Sequence, residues 1–389
     1  MNRQRSIFSM ILSLAVMLGA GQAMAQTIMP QAPQIAGSSY ILMDARTGHI
    51  IMEHNADEPL PPASLTKIMT AYIAEVEIDN GSMAMDDMVY ISERAWRTQG
   101  SKMFVDVDSY VSVEDLMRGI IIQSGNDASV AMAEHIAGSE EAFADLMNQH
   151  ARSLGMTNST FMNSSGLDSD GNYNLMSARD LAILSRAKII DHPDHYSMYA
   201  EREFTYNGIR QPNRNTLLFR DSTVDGIKTG WTSQAGFCLV SSAERDGMRL
   251  IAVVMGTASE EARVAETQKM LSYGFRYFET HKLYDAGESL DSVRVWSGQD
   301  NSLELGLADE VYVTIPRGRT GDLNASLDIG DVLHAPVEQG QQVGTVNITL
   351  DEESVYSGNV VALHAVERGG LFKRLLDALT LFITGLFSG

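Results

Sequence analysis

Three strand-like runs stand almost end to end late in the chain: VDGIKTGWT from Val224, GFCLVSSAE from Gly236 and RLIAVVMGT from Arg249. The gaps between them are too short for the crossover that parallel pairing needs, so they pair as an antiparallel meander. SSYILMDARTGHIIMEHNADE, near the start, supplies two more β-rich runs around Arg46-Thr47-Gly48, which read as a hairpin. Between hairpin and meander lies helical text. Leu65–Val76 is apolar nearly all round, as for a helix inside the molecule. Ser112 with Asp115 signals a helix start before VEDLMRGIIIQ, Asn126 or Asp127 is a candidate cap for ASVAMAEHIAG, and a further helix is expected from Ser177 to Ile190. EEARVAETQKMLSYGFRYFETH reads as a long helix with Met270, Leu271, Phe275 and Phe278 on one side. The first domain is thus expected to be α+β, helices against an antiparallel sheet whose strands come from both ends of the segment.

Past about Leu283 the text changes to short alternating runs (VRVW, VYVTIP, ASLDI, VGTVNITL, NVVALHAV), the pattern of a small all-β domain. It holds no polar cluster with the look of chemistry and is read as structural. Residues 367–389 end the chain with Leu371, Phe372, Leu375, Leu376, Leu379, Phe382, Ile383 and Leu386 at helical spacing and Lys373, Arg374 and Asp377 between them. Those charges argue against a bilayer span and for a helix lying in the headgroup region; packing on the β domain or a partner is the alternative. At the other end, Arg3 and Arg5, an apolar run and Ala23-Met24-Ala25 mark residues 1–25 as a cleaved secretory signal. The expected division is therefore 1–25 signal, 26–282 first domain, 283–366 β domain and 367–389 amphipathic anchor.

A formal net charge of −21 repels nucleic acid and anionic lipid, so an anionic substrate must be held by a few placed cations. The single cysteine, Cys238, cannot form an intramolecular disulfide, and its strand-like surroundings make it a core residue. No metal-ligand spacing occurs; His192 and His195 in DHPDH come closest and are read as a solvated loop.

Chemistry is signalled by PPASLTKIMT, where Ser64 and Lys67 stand three positions apart and share one helix face. A serine hydroxyl needs a neighbour to take its proton, and a lysine in a dry pocket loses enough basicity to do so. Alone, the pair reads more readily as the start of an ordinary buried helix. Ser124-Gly125-Asn126 in a helix-to-helix turn and Lys228-Thr229-Gly230 in a strand change that reading. The order Ser-x-x-Lys, Ser-x-Asn, Lys-Thr-Gly is the motif set of penicillin-binding proteins and class A β-lactamases.

On these motifs, with SYILMDARTGHI, NADEPLPPASLTKIMT, VDGIKTGWT, VYVTIPRGR and the amphipathic tail, the chain resembles the low-molecular-mass penicillin-binding proteins that are D-alanyl-D-alanine carboxypeptidases. The resemblance implies a β-lactamase/transpeptidase-like domain, with a helical lobe and a five-stranded antiparallel sheet, followed by the β domain and the tail on the inner-membrane surface at its periplasmic face. It implies a substrate, peptidoglycan stem peptides ending in D-Ala-D-Ala, and covalent inhibition by β-lactams, with no cofactor and no metal. It assigns Ser64 as nucleophile, Lys67 as base, Ser124 as proton relay and Asn126 as holder of the substrate amide. The oxyanion hole becomes the backbone N–H groups of Ser64 and Trp231, and Lys228, Thr229, Gly230, Arg263 and Arg214 bind the substrate's terminal end. Trp231 departs from the histidine often found after Lys-Thr-Gly. A serine β-lactamase, a D,D-endopeptidase and a non-catalytic wall-binding scaffold are the rival readings. Against the first, class A lactamases use a loop glutamate to activate water, and none occurs between Glu141 and Glu201; Asp168 and Asp170 are poor substitutes.

Overall fold

The meander is built as expected: Val224–Thr232, Gly236–Arg245 and Met248–Thr257 run antiparallel. The turn between the last two is Asp246-Gly247, both at positive φ, as a two-residue hairpin turn with right-handed twist requires. The computed structural model describes residues 29–387 apart from 169, 170, 172 and 331, with backbone alone for 384–387. The expected signal at 1–25 and Asp170 lie outside the described residues.

The first hairpin, Ser39–Asp44 and Ile50–His54, joins the meander on its far side. Ser39 pairs with Met255 and Asp44 with Leu250, so the sheet runs Ile50–His54, Ser39–Asp44, Met248–Thr257, Gly236–Arg245, Val224–Thr232. Asp44 fixes the hairpin turn by accepting the N–H groups of Arg46 and Thr47. Both faces of this sheet are covered, which is why its strands read as nearly continuous apolar runs. Ile41, Met43, Val240, Ile251 and Val253 point into a core shared with the helical lobe. Their neighbours Leu42, Leu239, Leu250 and Val254 pack against Met270, Leu271 and Phe275 of the helix Glu260–Tyr277. Cys238 is buried in the first of these cores, and burial pushes its thiol up to about 11.

Three local expectations need correction. The helix expected through His281 ends at Tyr277; Phe278 is extended and starts the strand Phe278–Tyr284, which pairs with Val311–Pro316. Neither Asn126 nor Asp127 caps the helix Asn126–Ala137: Gly125 occupies that position, and the buried Asp127 carboxylate instead accepts the N–H groups of Met103, Phe104 and Val105, tying down the preceding loop. His192 and His195 are not a solvated loop. His192 is buried, and the two rings bind opposite oxygens of Asp79 at 2.5 and 2.9 Å.

The β domain is a six-stranded sheet around Val295, Leu303, Leu305, Val346, Ile348 and Val360, beside the pair formed by Phe278–Tyr284 and Val311–Pro316. It is fastened to the first domain at the first hairpin: Thr47 and Thr314 share a hydrogen bond of 2.6 Å, Thr280 donates to Asp44, and Arg46 lies over the Tyr312 ring. The last helix, Leu371–Phe387, meets the β domain by its polar stripe. Asp377 accepts from Arg294 and from the Ser297 N–H, and Lys373 donates to the Gly298 carbonyl and Asn301. Its apolar stripe faces outward, with Leu371 83% and Phe372 82% exposed. Among the described residues no helix is long and apolar enough to cross a membrane.

Candidate active site

Ser64 sits in a single 3-10 turn, Ala63–Thr66, from which the helix Lys67–Asp79 starts. Ala63, immediately before it, has φ +49, a left-handed conformation that costs a non-glycine residue roughly 1 kcal/mol and persists only where its surroundings over-determine it. Two glycines show how tightly the turn is held. A Cβ on Gly230, in the edge strand, would meet the Pro62 carbonyl at 2.7 Å, and one on Gly166, in the Asn/Ser-rich loop, would lie 1.9 Å from the Ala63 carbonyl. Strand, loop and turn are thus in backbone contact, as the Lys-Thr-Gly spacing could not by itself reveal.

The Lys67 side chain is fully buried and donates to three oxygens, Ser64 Oγ at 3.2 Å, Asn126 Oδ1 at 2.7 Å and the Ser165 carbonyl at 2.7 Å. None of these is a carboxylate. Burial, then the charge of Arg214, lower its pKa to about 7, against an opposing pull from Asp127 and Glu140. A substantial neutral fraction therefore exists near neutral pH, with its amine against the serine hydroxyl.

Ser124 follows a π-helical turn, Gly119–Gln123, and itself adopts φ +67. Such turns recur at functional sites because they re-aim one residue. Its buried Oγ has no hydrogen-bond partner, which for a hydroxyl facing a cleft points to a group supplied by the substrate. Asn126 bridges Lys67 Nζ and the Gln99 carbonyl, joining Lys67 to the rim loop.

Lys228 is buried below the edge strand, its Nζ 3.4 Å from the Thr229 carbonyl, long for a hydrogen bond. Burial, then Lys67, Arg214 and Arg263, hold its pKa well below the usual lysine range. Arg263, on the helix Glu260–Tyr277, reaches across to the Gly230 carbonyl at 3.3 Å and lies over the Phe237 ring; its buried Nε has no partner. Trp231 is exposed at the mouth, its ring 5.7 Å from Phe237.

These groups meet in one cleft of about 1050 Å³. Ser64, Ser124, Asn126, Thr229, Gly230, Trp231, Arg214 and Arg263 line it, and Lys67 and Lys228 lie beneath its floor. The residues that the resemblance assigns to the site are brought together, with Arg214 exposed on the wall. A second cavity of about 920 Å³, between the hairpin and the β domain near Arg46 and Tyr312, holds none of them. Sequence reading missed the supports of the Lys67 pocket. Ser165 contributes a backbone carbonyl, which no side-chain pattern announces. The loop bearing it is held by Glu140, which accepts from the Ser164 N–H and hydroxyl, and by Thr70, which donates to the Ser164 carbonyl. Glu260, on the cleft wall, was also missed. Asp168 is exposed in its loop.

Residues 26–259 match the family described as D-alanyl-D-alanine carboxypeptidase, and residues 278–368 match the C-terminal domain described for penicillin-binding protein 5. The chain is 45% identical to D-alanyl-D-alanine carboxypeptidase DacA of Escherichia coli K12, over 92% of this chain and 90% of that one. It is 43% identical to DacC of the same organism, over 89% and 88%. Among solved structures, penicillin-binding protein 5 from Haemophilus influenzae superposes with a TM-score of 0.83 at 42% identity, covering 87% of this chain and all of that one.

Proposed function

The chain belongs to the D-alanyl-D-alanine carboxypeptidase family, and we propose that it performs this family's reaction in the cleft described above, with Ser64 as the nucleophile. It is a serine-type carboxypeptidase that removes the terminal D-alanine from peptidoglycan stem peptides. Neutral Lys67 takes the Ser64 proton as Oγ attacks the carbonyl carbon between the two D-alanines. The resulting oxyanion is met by the backbone N–H groups of Ser64 and Trp231, donors aimed at charge that exists only in the transition state. Ser124 passes a proton to the departing D-alanine amine, the C–N bond breaks, and an ester remains on Ser64 until water hydrolyses it. The Asn126 amide holds the substrate's amide carbonyl, and Lys228, Thr229 and Arg263 receive the terminal carboxylate, with Arg214 flanking them. A β-lactam enters by the same attack, but its cleaved amide nitrogen stays tethered, leaving a slowly hydrolysed ester.

The observation that carries this reading is the contact between the Ser64 hydroxyl and a fully buried lysine amine that has only neutral acceptors. The test is free D-alanine released from a defined pentapeptide: the protein should release it, Ser64→Ala should not, and penicillin should add one drug to the tryptic peptide holding Ser64. No release by the unaltered protein, or equal release by the variant, contradicts the assignment.

Export by the 1–25 segment, a periplasmic location and peripheral attachment to the inner membrane belong to the same proposal. They are supported by the outward apolar stripe of the Leu371–Phe387 helix, whose charged residues Lys373 and Asp377 are engaged by the β domain. Deleting residues 370–389 should move the protein from the membrane pellet to the supernatant; retention in the pellet counts against the helix as anchor.

A further inference from the structure

Among the described residues lining the cleft, Glu260 is the only one with a carboxylate. It opens the helix Glu260–Tyr277, its side chain is 48% exposed, and one of its oxygens accepts from an Arg263 terminal nitrogen at 3.2 Å. Resting on the carboxypeptidase reading, we infer that Glu260 is a specificity residue: its carboxylate occupies the Arg263 guanidinium in the free enzyme and is displaced by the substrate's terminal carboxylate, so that it competes with every anion entering the cleft.

The surroundings set the terms of that competition. Four cations converge here: Lys67 and Lys228 buried beneath the floor, Arg263 buried on the wall, and Arg214 exposed on it. The Glu260 carboxylate contacts Arg263 directly, and its charge also acts on Arg214 across the same cleft. Of the Arg263 donors, one terminal nitrogen is committed to the Gly230 carbonyl, the other is held by Glu260, and buried Nε has no partner. An incoming carboxylate can therefore draw on the unpaired Nε and on the second N–H of each terminal nitrogen, and it competes with Glu260 for the N–H that Glu260 now holds. A single-point contact this exposed is worth at most about a factor of five in binding. A substrate carboxylate that also meets Lys228 and Thr229 outcompetes it, whereas a lone small anion gains less by displacing it.

The experiment measures kcat and KM for an acylated peptide ending in D-Ala-D-Ala and for the same peptide ending in D-alaninamide, with Glu260→Gln and Glu260→Ala. KM for the free acid should fall about two- to five-fold, more for the alanine variant, with kcat changed by less than about two-fold. The kcat/KM for the amide should stay within about two-fold of the unaltered enzyme. Glu261→Gln, which removes an exposed carboxylate one position away and outside the cleft, should leave KM for the acid unchanged. An unchanged or raised KM for the acid, an equal gain for the amide, or an equal fall in Glu261→Gln overturns the inference while the unaltered enzyme still releases D-alanine. Absence of release by the unaltered enzyme instead removes the carboxypeptidase reading, and the inference with it.

Discussion

Two lysines, Lys67 and Lys188, are fully buried in the same domain and are treated in opposite ways. Lys188 has a carboxylate, Glu75, at 2.5 Å and lies 4.8 Å from the centre of the Tyr199 ring. Burial lowers its pKa, and Glu75 works against that lowering by both charge and hydrogen bond. Lys67 has a hydroxyl, a side-chain amide oxygen and a backbone carbonyl, with Arg214 adding like charge. A partnered lysine joins two elements, here the helices Lys67–Asp79 and Ala178–Asp191, as a fixed ion pair. Lys67, denied a carboxylate and kept dry against the Ser64 hydroxyl, is left free for the role of base proposed above. The fold supplies burial to both, and one acid decides which role follows.

The comparison breaks most visibly at the amines themselves. Lys67→Ala should slow acylation by penicillin about 10²- to 10⁴-fold even among molecules that remain folded, since the proton acceptor is lost in addition to its bonds to Asn126 and Ser165; stopped-flow labelling and a melting curve separate the two. Glu75→Gln should do the reverse. It leaves a buried cation without its counter-charge, so we expect a stability loss of about 3–5 kcal/mol by denaturant unfolding, with near-normal acylation by the molecules that remain folded. Two variants with the same profile would mean that the two lysines do not differ in kind. A smaller effect sharpens the contrast: Glu140→Gln removes one of the charges that raise the Lys67 pKa, so the acylation profile should move to lower pH.

Much of this was legible in the residues. The meander could be read because both its faces are buried, so alternate residues serve two cores and the runs are apolar throughout. The three motifs named Ser64, Lys67, Ser124, Asn126, Lys228, Thr229 and Gly230, which the fold gathers at one cleft. What stayed hidden was carried by backbone or by tertiary placement. Ser165 acts through its carbonyl, and Asp127 left its expected cap to hold three N–H groups of a loop more than twenty positions away. The long helix stops at Tyr277 although its pattern continues, because Phe278 is drawn into pairing with Pro316 of the β domain. DHPDH looked like surface text because nothing local shows that Asp79 waits across the lobe to bind both histidines. The polar stripe of the last helix likewise has partners, Arg294 and Ser297, about eighty positions upstream.

The most direct measurement is the second-order rate constant for penicillin acylation of Ser64 across pH. Lys67 acts only when neutral and its pKa is lowered to about 7, so the rate should rise about tenfold per unit below that value and level off above it. A rate that is flat from about pH 5.5 to 8.5, or that begins to level only near the ordinary lysine value of about 10, would contradict the account of Lys67 as the buried base.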